Sequence, residues 1–193
     1  MTAFLEEHDA EVRKAVERIR PYVRRTPTLS TDLDPDLRLK AECFQITGSF
    51  KVRGAFNAVL SQMEHDPRPA GVIAVSSGNH AQAVALAART VGIPALIIIP
   101  EDANPAKVAA TRALGAEVVQ GGITFENREQ RMRELMAERG FSLVHPYDDW
   151  DVIHGQATAA AEMLEVRARI CRSRFHDAVS QVFRPAYGHY RWG

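Results

Sequence analysis

The stretch Lys40-Ala41-Glu42-Cys43-Phe44-Gln45-Ile46-Thr47-Gly48-Ser49-Phe50-Lys51-Val52-Arg53-Gly54-Ala55-Phe56-Asn57-Ala58 decides how this chain is read. An apolar run ends, a Thr47-Gly48-Ser49 turn follows, and a helix begins with Lys51 in its first turn. A cation in that turn opposes the positive end of the helix dipole by a few tenths of a kcal/mol. Residues set against a local rule are where function is most often found. A desolvated lysine beside a positive helix end has a lowered pKa and can act as a nucleophilic amine. The competing reading is a solvated surface lysine.

Working outward, Leu37, Leu39, Ala41 and Cys43 alternate with charged or polar residues, the pattern of a half-buried strand. Upstream, Leu5, Val12, Val16 and Ile19 recur at helical spacing and predict a helix over 3–20. Downstream, the helix opened by Ser49 runs to Met63, with Phe50, Ala55, Val59 and Met63 on its apolar side. Then the pattern changes. Val72–Val75 and Ala95–Ile99 are continuous apolar runs, which suit parallel strands covered on both faces. Ala81–Val91 between them reads as a buried helix. Asn104 and Pro105 open the next helix, and Gly115 closes it. Glu117–Val119 is a short strand, Thr124 caps a charged helix to Arg139, and Phe141–Val144 is a fourth strand. Asp148–Asp151 reads as an acidic turn before a helix over 154–165. Strand and helix alternating in this way predict an α/β protein with an open parallel sheet, whose ligands bind at the carboxyl ends of strands.

One loop sits at such an end. Ser76-Ser77-Gly78-Asn79-His80 follows the Val72–Val75 strand and opens the buried helix. Two hydroxyls, a glycine, an amide and a helix N-terminus make an anion site; a plain helix cap is the alternative. His80 reads as a solvated or helix-start histidine, because no partner ligand for a metal sits at useful spacing.

Composition bounds the rest. The 193 residues are 46% hydrophobic and 25% charged with zero formal net charge, values of a soluble globular protein that favour neither nucleic acid nor a membrane surface as partner. Cys43 and Cys171 form no disulfide framework, and the acidic N-terminus is no secretory signal, so a cytoplasmic setting is expected. No run approaches the roughly 20 apolar residues of a membrane span. The charge is uneven: residues 166–193 hold six arginines against Asp177, a net +5.

With both motifs in view, a resemblance can be stated. Leu39–Glu42 and Gln45–Ala55 closely resemble the text around the cofactor lysine of the threonine dehydratase and serine racemase family, pyridoxal-phosphate enzymes of fold type II. Ser76-Ser77-Gly78-Asn79-His80-Ala81-Gln82 resembles the family's second motif, and Asn104–Lys107, Leu114–Val118, His145–Asp149 and His154–Thr158 continue it. The resemblance runs from about Arg24 to Glu165. It implies that Lys51 is the Schiff-base lysine and takes the substrate's α-proton. It also implies that Phe50 lies by the cofactor, that Asn79 bonds the ring's phenolic oxygen, and that Ser76, Ser77, Gly78, Asn79 and His80 hold the substrate carboxylate. Ser77 corresponds to the position where racemases carry a second acid/base. The activity so implied is dehydration of threonine- or serine-type β-hydroxy amino acids to a 2-oxo acid and ammonia. Amino-acid racemisation is the alternative within the class, in a family whose members are usually homo-oligomers.

Past Glu165 the family's glycine-rich phosphate loop is expected, and only Gly188 and Gly193 occur there. The implied organisation is a large-domain remnant (1–64 with 151–165), a complete small α/β domain (71–148), and an aberrant basic tail (166–193) from a frame shift or truncation. Weakened cofactor binding follows from that organisation. So does an alternative role as a non-catalytic remnant, or as a partner of a full-length relative.

Overall fold

The computed structural model describes residues 2–34 and 36–168. The basic segment, apart from residues 166–168, lies outside them, as does Cys171. The elements run α1 (Thr2–Ile19), β1 (Thr28–Ser30), β2 (Arg38–Lys40), a 3-10 turn (Glu42–Phe44), α2 (Lys51–Met63), β3 (Val72–Val75) and α3 (Asn79–Val91). They continue through β4 (Ala95–Ile98), α4 (Pro105–Ala113), β5 (Glu117–Val119), α5 (Arg128–Arg139), β6 (Ser142–Leu143) and α6 (Trp150–Ala168).

The expected parallel sheet is present, in the order β5-β4-β3-β6. Ile73 pairs with Leu96 on one side and Leu143 on the other, all strands parallel. Successive side chains point to opposite faces of a strand, and here both faces are covered. Val72, Ala74 and Ile97 join the helical side with Val84 and Ala88 of α3 and Val52 and Phe56 of α2. Ile73, Leu96 and Ile98 face Leu135, with Met132 and Met136 packed against them from α5. Burial on both sides is why these strands read as unbroken apolar runs. The chain steps outward from β3 to β4 to β5, then returns to place β6 on the opposite side of β3. The gap between the carboxyl ends of β3 and β6 is therefore the topological switch point, where open α/β sheets bind ligands.

Three local expectations are corrected. The half-buried strand read over Leu37–Cys43 is only β2, paired antiparallel with β1. Its leucines face outward: Leu37 and Leu39 are exposed, while Lys40 turns in toward Glu162 at 2.5 Å. Cys43 lies in the 3-10 turn and is exposed. The α5 helix starts at Arg128 rather than Thr124, because Thr124 and Asn127 first close a turn by bonding each other's backbone N–H. The acidic turn over 148–151 is already helix from Trp150, with the Asp149 carboxylate accepting the Val152 N–H at 3.1 Å as its cap.

The α2 helix is the pivot between sheet and helices. It packs on α3, and on its other side it meets α6 through two glycines. A Cβ on Gly155 would stand 2.6 Å from Gly54 Cα and 2.7 Å from the Arg53 carbonyl oxygen. The Gly54 N–H donates to Gln156 Oε1 at 3.1 Å, which ties the two helices at the contact. From α1, His8 Nδ1 reaches His154 Nε2 at 2.9 Å, and Trp150 stacks on His8 with ring centroids 4.2 Å apart. Among the described residues no helix is long and apolar enough to cross a membrane.

Alanine is the better helix former by about 1 kcal/mol, yet Gly155→Ala is expected to destabilise the protein by about 1–3 kcal/mol through forced separation of backbones. Urea unfolding measures this. Gly78→Ala, where a Cβ meets nothing within 4 Å, is the control and stays near neutral.

Candidate functional site

Two chain segments leave the switch point. After β3 comes Ser76–His80. After β6 come Val144, His145 and Pro146. The first builds the N-terminus of α3 without a side-chain cap, Gly78 standing at the cap position. The Ser76 hydroxyl accepts the Gly78 N–H at 3.2 Å and shapes the loop. Ser77 is half-buried and Asn79, first residue of α3, is exposed. The space above Gly78 is open.

His80 does start the helix, but its ring is buried at 3% exposure, not solvated. Its Nε2 bonds the Val144 carbonyl at 2.9 Å, so Nε2 carries the hydrogen and donates. Burial above all pushes its pKa down to about 4, and the nearby Lys51 charge adds to that shift. The ring is therefore neutral at pH 7. Its other nitrogen, Nδ1, is buried with no hydrogen-bond partner.

Lys51 opens α2, and its backbone N–H donates to Ser49 Oγ at 3.2 Å. Its side chain crosses to the same segment that receives His80: Nζ donates to the Pro146 carbonyl at 2.7 Å. The half-exposed Phe50 ring lies beneath the amine, 5.3 Å from Nζ to centroid. Burial lowers the Lys51 pKa from the ordinary lysine value. The solvated-lysine alternative thus gives way to a partly desolvated amine in the cleft. Further along α2, Gln62 Nε2 donates to the Leu143 carbonyl at 2.9 Å, so the helix is docked on β6 and on the segment that follows it.

The structure therefore brings Phe50 and Lys51 to one wall of the crevice, and Ser76, Ser77, Gly78, Asn79 and His80 to another. The shared floor is residues 144–146. Sequence reading misses that floor, because it acts through the carbonyls of Val144 and Pro146, which every residue type carries. It also gives His145 no role. The His145 Nδ1 accepts the Asp148 N–H at 2.7 Å, and burial lowers its pKa. Arg53 is a further residue that sequence reading passes over, although it is fully buried two residues from Lys51. No group of three or more metal-ligating side chains exists among the described residues.

The residues present fit the amine-binding and carboxylate-binding ends of a pyridoxal-phosphate site. A desolvated amine is available to an aldehyde, an uncapped helix N-terminus is available to an anion, and buried Thr47 Oγ1 and His80 Nδ1 are unsatisfied by protein.

Comparison with known proteins gives the family and the fold. The L-threo-3-hydroxyaspartate ammonia-lyase of Saccharomyces cerevisiae is 49% identical over 160 residues, covering 80% of this chain and 49% of that protein. Serine racemase of Schizosaccharomyces pombe is 44% identical over 160 residues, with 80% and 49% covered. Among solved structures, the T.th. threonine deaminase superposes with a TM-score of 0.78 at 41% identity, covering 93% of this chain and 61% of that one. Maize serine racemase gives a TM-score of 0.76 at 39% identity, covering 81% and 49%. The chain thus spans about half the length of the curated relatives it matches. The profile of the family described as "Pyridoxal-phosphate dependent enzyme" matches residues 19–181, past the Glu165 at which the motif resemblance ends. With a family profile over residues 19–181, and with Lys51 and the Ser76–His80 loop both at the switch point, the chain belongs to the pyridoxal-phosphate dependent enzyme family.

Proposed function

We propose that this chain carries the amine-bearing half of a pyridoxal-phosphate ammonia-lyase site acting on β-hydroxy amino acids of the threonine, serine or hydroxyaspartate type. The observation that supports it most is the convergence of Lys51 Nζ and the His80 ring on the carbonyls of Pro146 and Val144. That convergence sets a nucleophilic amine opposite a helix N-terminus. When bound, the cofactor supplies an electron sink for the substrate α-carbon. Lys51 would hold it and, once released, take the proton from that carbon. Its lowered pKa keeps more of the amine neutral near pH 7, the form that accepts a proton. Phe50 would bound the ring site and Asn79 would bond the ring oxygen. The N-terminus of α3 with Ser76, Ser77, Gly78 and His80 would receive the substrate carboxylate. Ser77, half-buried in that loop, would be the second acid/base if the chain racemises its substrate.

In this reading residues 1–64 with 151–165 descend from a cofactor-bearing domain and 71–148 from a smaller α/β domain. A cytoplasmic setting and self-association are parts of the same proposal.

Incubation with pyridoxal phosphate, borohydride reduction and peptide mapping is expected to mark Lys51. Release of ammonia and 2-oxo acid from threonine, serine or hydroxyaspartate is expected to fall by about 10³-fold in Lys51→Ala. Marking at other lysines, or turnover that survives Lys51→Ala, would remove the proposal. Marking without turnover would leave the chain as a cofactor-binding remnant.

The His80 anchor has its own pH signature. Its folded pKa of about 4 lies below the ordinary 6.5. The unfolded chain therefore binds the extra proton first, and stability present above pH 6.5 is lost as pH falls toward 4. Between pH 7 and pH 4.5 the protein should lose about 2 kcal/mol more than His80→Gln does, measured by urea unfolding at both pH values.

A further inference from the structure

Arg53 is fully buried and belongs to no part of the site described so far. It makes two forked contacts. Nε and Nη2 donate to the two oxygens of Glu42, both at 2.9 Å, and Nη1 and Nη2 donate to those of Glu162 at 2.8 and 3.0 Å. Nη1 also reaches Thr158 Oγ1 at 3.2 Å, and Nη2 the Arg24 carbonyl at 3.3 Å. Lys40 completes a charge-balanced cluster by donating to Glu162 at 2.5 Å and to the Thr26 carbonyl at 2.6 Å. Burial alone would raise the Glu42 pKa, but the hydrogen bonds from Arg53 and Thr26 outweigh it and hold the carboxyl below its usual range. One side chain of α2 is thus clamped to the 3-10 turn, to α6 and to the link before β1.

Buried ion pairs are poor sources of net stability, and their better-attested use is to specify register. Register matters here. Residues two apart on a helix point about 200° apart, so Arg53 is clamped on the side of α2 opposite Lys51. The end of an extended lysine side chain stands about 8 Å from its helix axis, so a 10° rotation moves the amine by about 1.4 Å. A misplacement of about 1 Å at a reacting atom can cost about a hundredfold in rate. In the first turn Phe50 offers no side-chain cap, and the Ser49 hydroxyl holds only the Lys51 N–H, at 3.2 Å.

We propose that Arg53 is a positioning residue for Lys51, its double fork to Glu42 and Glu162 setting the rotation of α2 about its own axis. The proposal rests on reading Lys51 as the cofactor-bearing amine, but its test needs no cofactor. Competitive acetylation of the intact protein between pH 6 and pH 11, read by peptide mass spectrometry, follows Lys51 against the exposed Lys14 and Lys107 in the same digest. In the wild-type protein Lys51 titrates below the ordinary value of 10.5.

The paired change Glu42→Gln with Arg53→Met removes the fork and keeps the cluster neutral. It is expected to let the amine escape toward solvent, slowing Lys51 acetylation at pH 8 by about tenfold, with Lys14 and Lys107 unchanged. Arg53→Lys keeps the charge but loses both forks, and is expected to shift Lys51 in the same direction. Circular dichroism and thermal melting establish that each variant is folded. A folded variant in which Lys51 keeps its wild-type profile overturns the proposal. Collapse of both variants overturns it too, because the cluster would then be a condition of folding rather than of register. Failure of pyridoxal phosphate to mark Lys51 would sink the cofactor reading alone, leaving the acetylation profile to decide this one.

Discussion

The distance between α2 and α6 is set where Gly54 faces Gly155, and much else follows from that approach. With no side chain between them, the two helix backbones come close enough for the Gly54 N–H to reach Gln156 Oε1 and for Asn57 Nδ2 to reach the Asp151 carbonyl at 2.7 Å. The same closeness seals Arg53 away from water, and that burial obliges the arginine to find carboxylates from both Glu42 and Glu162. Held on that side, α2 presents its opposite side to the sheet. There Gln62 and Lys51 bond the carbonyls of Leu143 and Pro146. A contact that looks like mere helix packing therefore sets how closely α2 and α6 approach around Arg53.

What could be read from the chain divides along a physical line. Features whose cause is local were legible. The apolar runs of β3 and β4, the Asn104-Pro105 start of α4, where Asn104 accepts the Ala106 N–H, and the Ser76–His80 turn all carry their signal within a few residues. The lysine of the first turn was legible for the same reason. Features whose cause lies far along the chain were not. Alternation in Leu37–Cys43 has the period of a strand, but which phase is buried depends on Glu162, more than a hundred residues later, drawing Lys40 inward. Leu29 and Leu39, opposite one another across β1 and β2, are left facing out. Arg53 carries no local sign of its role, because its partners are 11 and 109 residues away. The floor of the site is made of carbonyl oxygens, and a carbonyl has no letter in a sequence.

His80 shows how the two kinds of cause combine. Its place at the start of α3 is local and was expected. Its burial is not local, since it requires β6 to return beside β3 and offer the Val144 carbonyl. Had β6 been added at the other edge of the sheet, beside β5, this carbonyl would not be there and the imidazole would lie in solvent. The strand order therefore converts a helix-start residue into a buried strut between the loop and the floor.

The electrostatics of the crevice follow from the same arrangement. Lys51, His80 and His145 converge from three segments, and burial lowers the pKa of each while the Lys51 charge further disfavours protonation of both histidines. To these the uncapped N-terminus of α3 adds about half a positive charge. Around Lys51 and His80 these effects resist a further positive charge, while Asp148, Asp149 and Glu129 partly offset them at His145. Asp149, the nearest carboxyl on the α6 side, has its pKa raised by burial and spends an oxygen on capping its own helix. The Lys51 amine and the N-terminus of α3 favour a ligand that brings its own anionic groups. A cofactor bearing a phosphate and a substrate bearing a carboxylate are ligands of that description. The proposed reading of the gap between β3 and β6 thus rests on the placement of these groups more than on the identity of any one of them.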